Sequence, residues 1–325
     1  MAGTSVPYRV PCWLAGAHLQ TIWPLLRKGR LPPYRRERWD TPDGDFVDLD
    51  WAAERPGTPL VVLFHGLEGS SRSHYARALM RAVAAAGWSG VVVHFRGCSG
   101  TPNRLARAYH SGDAAEIDWI LQRFRQRWPD APRYAAGVSL GGNALLCWLG
   151  ARRADAAGVI EAAAAVCAPL DLALCGRALE HGFARVYARH FLDTLKPRAL
   201  AKLRHWPGAV DAAAVRRART LYEFDDAVTA PLHGFTGADD YWTRASSKPV
   251  LRHIALPTLV LHARNDPFVP PPSLPAREEL PPSVTLEVTD GGGHVGFVSG
   301  PFPGRLDWMP QRLLEFFAAQ RRLHR

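Results

Sequence analysis

At 325 residues, with 47% hydrophobic and 22% charged side chains, the chain has an ordinary globular composition and enough length for one large core plus an insertion. No run reaches the roughly 18 apolar residues of a membrane-spanning helix, and Met1–Val10 does not read as a secretory signal. The net charge of +10 is carried by dispersed arginines, in short groups such as Arg35-Arg36 and Arg216-Arg217, so a solvated surface is expected rather than a specific nucleic-acid site, with a weak peripheral membrane contact left open.

The first 35 residues are expected to pack on the core, with Trp13, His18 and Trp23 as a packing cluster. Arg38–Trp51 reads as a hairpin around Asp43-Gly44, a strong turn pair. Leu60–Phe64 is a continuous apolar run, as a strand covered on both faces requires. A helix over about His74–Ala86 stops at Gly87, and Gly90–Phe95 is the next buried strand. A second helix, about Gly112–Arg127, stops before Pro129, with Asp113 as its cap. Tyr134–Val138 is a short strand, Gly142–Arg152 the helix after it, and Val159–Cys167 a further strand. From about 170 to 245 the pattern turns helical. Alternation resumes with strands at Thr258–His262 and Val284–Val288 and a final helix over about Arg305–Arg321. The expectation is an α/β core over 36–169 and 246–325, with a mostly parallel sheet, helices on both faces, and 170–245 as a helical cap insertion.

Chemistry concentrates at the ends of these strands. Gly137-Val138-Ser139-Leu140-Gly141 falls between a predicted strand and a predicted helix, where two residues without Cβ atoms allow a sharp turn that projects Ser139. A serine hydroxyl needs a base, and His294 in Gly291–Gly296 sits in a flexible loop after the last strand. Asp266, just before Pro267 and after Thr258–His262, is placed to orient it. The order Ser139, Asp266, His294 is the one an α/β-hydrolase fold produces. The oxyanion of a tetrahedral intermediate also needs donors, and the N–H groups of Leu140 and of Leu67, in His65-Gly66-Leu67-Glu68-Gly69, are the candidates.

Other groups point elsewhere. His65, Glu68 and His74 lack the spacing of a metal-binding helix, so no metal site is expected. Asp225-Asp226 and Asp239-Asp240 read as surface or cap residues. Five widely spaced cysteines without a Cys-x-x-Cys pair argue against a disulfide framework and for a reduced, cytoplasmic setting.

Read together, these motifs resemble the YheT-like branch of the α/β-hydrolase superfamily, the AB hydrolase 4 family. The resemblance runs from Gly16-Ala17-His18-Leu19-Gln20-Thr21-Ile22-Trp23-Pro24 through Phe64–Ser70, His94-Phe95-Arg96-Gly97-Cys98-Ser99-Gly100, Tyr109–Gly112, Gly137–Gly142, Tyr222–Asp226 and Asn265–Phe268 to Gly292–Phe297. It implies a Ser139-Asp266-His294 relay and hydrolysis of small-molecule carboxylic esters, including lipid-like ones, without a cofactor. The same triad would serve thioester or amide cleavage or acyl transfer to an alcohol. The rival is a non-catalytic binding protein on a hydrolase scaffold.

Overall fold

The computed structural model describes residues 7–27 and 29–323. A short helix, α1 (Ala17–Leu26), precedes the sheet. The Asp43-Gly44 turn then joins β1 (Arg35–Asp40) to β2 (Phe46–Ala53) in an antiparallel hairpin, with Asp40 opposite Phe46. Gly44 has φ +85°, the conformation that makes glycine the fitting turn residue.

The remaining strands are β3 (Leu60–Phe64), β4 (Ser89–His94), β5 (Arg133–Val138), β6 (Ala162–Val166), β7 (Thr258–Ala263) and β8 (Val284–Thr289). They form one eight-stranded sheet in the order β1-β2-β4-β3-β5-β6-β7-β8. Every pairing from β4 across to β8 is parallel, and β2 runs antiparallel to β4. β6 starts three residues later than its apolar run suggested, because Arg153–Gly158 closes a 3₁₀ turn first.

Both faces are covered. On one, α3 (Ala114–Arg127) and α4 (Leu140–Arg152) bury Ile117, Phe124, Leu145 and Trp148 against the sheet. On the other, α2 (His74–Ala85) and the C-terminal helix (Trp308–Leu323) bury Leu79, Met80, Leu313 and Phe317. Asp113 caps α3 as expected, accepting from the Glu116 amide at 3.3 Å.

Between β6 and β7 the chain is helical. It runs through α5 (Leu172–Ala178), α6 (Ala184–Lys202), α7 (Ala212–Arg217), α8 (Leu221–Phe224), a π-turn at Asp225–Thr229, α9 (Ala230–His233) and α10 (Ala238–Ala245). These helices keep apolar clusters of their own, one around Val215, Phe224 and Val228 and another around Tyr241 and Trp242. The C-terminal helix is therefore α11.

The His94–Gly100 string serves this architecture. Buried Arg96 bridges the hairpin turn and α3, meeting Asp43 at 2.8 Å, Asp45 at 3.2 Å and Glu116 at 2.5 Å. His94 meets Asp50 on β2 at 2.9 Å. A buried arginine with three carboxylates avoids the cost of an unpaired interior charge.

Candidate active site

Parallel strands deliver their following loops to one edge of the sheet, which is where residues far apart in sequence can meet. Phe64 pairs with Gly137, Val138 with Val166 and Ala263 with Thr289. The loops after β3, β5, β7 and β8 therefore emerge together.

Ser139 stands between β5 and α4 with φ +53° and ψ −123°, a backbone conformation that costs a non-glycine residue of order 1–3 kcal/mol. Its amide donates to the Val166 carbonyl at 2.8 Å, tying the turn to β6. The flanking glycines are required by crowding. A Cβ at Gly137 would lie 2.5 Å from the Gly141 carbonyl oxygen, and one at Gly141 would lie 2.4 Å from that of His65.

Asp266 is buried directly after β7. Its Oδ1 accepts from the Phe268 amide at 2.8 Å, which leaves Oδ2 facing His294 Nδ1 at 2.8 Å. The other ring nitrogen, Nε2, lies 3.0 Å from Ser139 Oγ. An ionised carboxylate only accepts, so this network assigns the proton to Nδ1 and turns the Nε2 lone pair toward the serine hydroxyl. The Phe268 ring stacks on the imidazole at 4.1 Å between centroids, with 19° between planes.

The loop after β3 lies against Ser139, where a Cβ at Gly66 would come 3.1 Å from the serine Cβ. Its amides are nearly all taken. Gly66 N–H donates to Tyr75 Oη, Glu68 N–H to Tyr109 Oη and Gly69 N–H to the Gly66 carbonyl, each at 2.9 Å. Among the described residues the Leu67 and Leu140 amides have no acceptor, and both residues line the cavity that holds Ser139 and His294. Buried His65 braces the loop. Its Nδ1 faces the Gly66 carbonyl at 2.8 Å, while Nε2 accepts from the Phe95 amide at 3.1 Å. Burial, helped by the nearby His94, lowers its pKa to about 3, so the ring stays neutral and can accept.

Sequence reasoning missed a further layer of this site. Gln20 and Thr21 on α1 hold the loops that carry Asp266 and His294. Gln20 Oε1 accepts from the Gly292 amide at 2.7 Å and from Asn265 Nδ2 at 2.9 Å. Thr21 Oγ1 accepts from the His294 amide at 2.9 Å, and Asn265 Oδ1 accepts from the Gly293 amide at 3.0 Å. Gly296 packs so closely on α1 that a Cβ there would sit 2.1 Å from the Gln20 carbonyl oxygen. The trace in the sequence was the Gly16–Pro24 string, whose polar residues also bond locally, Gln20 Nε2 to the Leu14 carbonyl and Thr21 Oγ1 to that of Ala17, which hides their long-range role.

The remaining candidates sort as follows. Trp13 and Trp23 pack together and on Phe302, whereas His18 turns to the helical segment and lies 3.2 Å from Tyr187 Oη. His74 Nε2 meets the Val295 carbonyl at 3.0 Å, and Glu68 takes Tyr109 Oη and Arg198. Asp226 caps α10 through the Ala238 amide, and Asp239 and Asp240 accept from Tyr222 and Thr236.

Asp225 is corrected from surface residue to cavity wall. It accepts from Thr229 Oγ1 at 2.6 Å and Trp242 Nε1 at 2.8 Å, and enclosure raises its pKa to about 6. Among the described residues, Cys167, Asp266 and His294 are the one group close enough to share a cation. Here Nδ1 of His294 is engaged by Asp266, and burial keeps the Cys167 thiol protonated by raising its pKa well above the usual range.

Ser139 and His294 open into a cavity of about 510 Å³ running beneath the helical segment. Its walls include Leu172, Phe191, Leu195, Val228, Leu232 and Trp242. Charged groups, among them Glu68, Arg198, Lys202 and Asp225, line it as well, so the cavity offers a ligand both apolar wall and polar contacts.

Comparisons with known proteins agree with the architecture. The family described as "alpha/beta hydrolase fold" matches residues 59–301. The Escherichia coli (strain K12) protein named "Putative esterase YheT" is 44% identical over 92% of this chain and 89% of its own length. Human "Phospholipase ABHD3" is 29% identical over 95% of this chain and 77% of its own. The solved structure of Pyrococcus furiosus esterase Pf2001 superposes with a TM-score of 0.58 at 18% identity, covering 97% of each chain, which is a likeness of fold. No helix among the described residues is long and apolar enough to cross a membrane.

Proposed function

Because the chain belongs to the α/β-hydrolase fold family, in its YheT-like branch, we propose that it is a serine hydrolase that cleaves carboxylic esters through an acyl-enzyme. The observation that carries this reading is the relay itself, with His294 at 3.0 Å from Ser139 and 2.8 Å from Asp266. His294 takes the Ser139 proton as the hydroxyl attacks the ester carbonyl, and the Leu67 and Leu140 amides receive the oxyanion. His294 returns the proton to the leaving alcohol. Water, deprotonated by the same nitrogen, then releases the acid and frees Ser139. Asp266 holds the imidazole in the required tautomer and offsets its charge when it is protonated.

The apolar cavity supports an acyl or lipid-like ester as substrate, as do the esterase and phospholipase names of the relatives. In this reading residues 170–245 form a cap whose inner wall receives the acyl chain. Free thiols at all five cysteines go with a reducing, cytoplasmic setting.

Native protein should hydrolyse short- and medium-chain nitrophenyl esters and be labelled covalently by a fluorophosphonate, and Ser139→Ala should do neither. Well-folded native protein that takes no label at mildly alkaline pH would sink the reading.

A further inference from the structure

Helix α1 is amphipathic in an inverted sense. Its buried side is polar, with Gln20 and Thr21 at 3% and 6% exposure committed to the loops of Asp266 and His294. Its opposite side is apolar and faces solvent. Leu19, Ile22, Trp23 and Leu26 recur at the spacing that places residues on one helix face. Leu19 is 56% exposed and Leu26 71%.

The face continues beyond the helix. His18 packs on Phe183 at 4.5 Å, which brings in exposed Phe183 and Val186 at the start of α6. Trp23 packs on Phe302 at 5.8 Å, which brings in a phenylalanine that is 68% exposed. Apolar surface this continuous marks an interaction site, because water gains by its removal.

The charges on the segment that carries α1 have one sign. The first 36 residues contain six arginines and lysines and no aspartate or glutamate. Arg9, Arg27, Arg30, Arg185 and Arg189 are exposed and meet no carboxylate among the described residues. By contrast, the arginines on the hairpin are committed to partners, Arg36 to Asp50 and Arg38 to Asp48. An apolar helix face rimmed by free guanidinium groups has the make-up of a helix lying in a bilayer interface among anionic headgroups.

We propose that α1, with Phe183, Val186 and Phe302, docks the protein on an anionic lipid bilayer. The apolar side chains enter the acyl boundary and the arginines meet the headgroup phosphates. Docking there sets the bilayer beside the site. Phe183 touches His18, His18 meets Tyr187, and Tyr187 packs at 4.7 Å on Phe268, the ring that covers His294.

Vesicle binding tests this without any substrate, so its outcome is separate from that of the esterase reading. Native full-length protein should co-sediment with vesicles containing phosphatidylglycerol, less with pure phosphatidylcholine, and less as salt is added. Leu19→Ser/Leu26→Ser should lower the partition roughly tenfold for each leucine removed from the interface. Arg27→Ala/Arg30→Ala should lower it on phosphatidylglycerol vesicles alone. Both variants alter exposed residues, and an unchanged melting temperature confirms that each is folded. The proposal is overturned if native protein ignores phosphatidylglycerol vesicles, or if the leucine variant binds them as native protein does. It is equally overturned if native protein instead forms a dimer that the leucine variant abolishes, since the face would then belong to a second copy of the chain.

Discussion

Gln20 accepts a hydrogen bond at 2.9 Å from Asn265, the neighbour of Asp266, although 245 positions separate them in the chain. The same oxygen accepts from Gly292 in the loop of His294. One amide side chain therefore bridges the loop of Asp266 and the loop of His294. Gln20→Met keeps the volume and removes the acceptor. It should lower kcat about tenfold or more with little change in KM, since a buried donor left unpaired costs about 1–3 kcal/mol. Steady-state kinetics on a nitrophenyl ester give both constants, and an equal rise in KM would argue against a positioning role.

Ser139 is held at a φ of +53°, which glycine adopts freely. Ser139→Gly should therefore abolish activity while raising stability by about 1 kcal/mol, visible as a higher melting temperature. Gly141→Ala should do the reverse of stabilising, because its new methyl group would lie 2.4 Å from the His65 carbonyl oxygen. A loss of more than about 2 kcal/mol is expected from such overpacking, measured by urea unfolding.

Leu195 on α6 forms part of the cavity wall. Leu195→Trp fills space that a long chain would use. The ratio of kcat/KM for long- over short-chain nitrophenyl esters should fall by about tenfold. An unchanged profile would remove the cap from the acyl pocket.

Burial lowers four histidines below their ordinary value of 6.5: His110, His65 and His233, the last two to about 3, and His262 to about 4. Their folded values lie under the unfolded one, so the unfolded chain binds more protons at mildly acid pH. The stability tied to their neutral forms is complete above 6.5 and erodes as pH falls from there toward 4, by about 1.4 kcal/mol per unit for each ring. His262 has no partner for either ring nitrogen among the described residues. His262→Leu should therefore remove one such increment from the slope, read from unfolding free energies at neutral and mildly acid pH.

Where function rests on local pattern, the sequence was readable. The strand before Ser139, the glycines around it and the loops of Asp266 and His294 each announce themselves within about ten residues. The parallel sheet then brings those loop ends together. Long-range polar contacts left no such trace. Gln20 reads as one of three polar residues, with His18 and Thr21, in an otherwise apolar helix, and nothing nearby shows that Gly292 needs its oxygen. Asp225 misled for the same reason. A paired carboxylate in a helical stretch looks solvent-facing until Thr229 and Trp242 are seen to enclose it. Element ends shifted where backbone geometry overrode composition, as at β6, where the Val159 and Ile160 amides close back on Ala156 after the 3₁₀ turn and the strand begins only at Ala162.

The contact between Gln20 and Gly292 spans 272 positions, and that span dictates when the site can exist. During synthesis Gln20 is made 272 residues before Gly292, and α1 waits for the segment it will hold. No nascent intermediate that stops short of Gly292 can carry the assembled arrangement, because Gln20 and the loop it holds are made 272 residues apart. The site is thereby withheld until the His294 loop has been made, and a cut between α1 and β1 would release the clamp while leaving every strand of the sheet uncut.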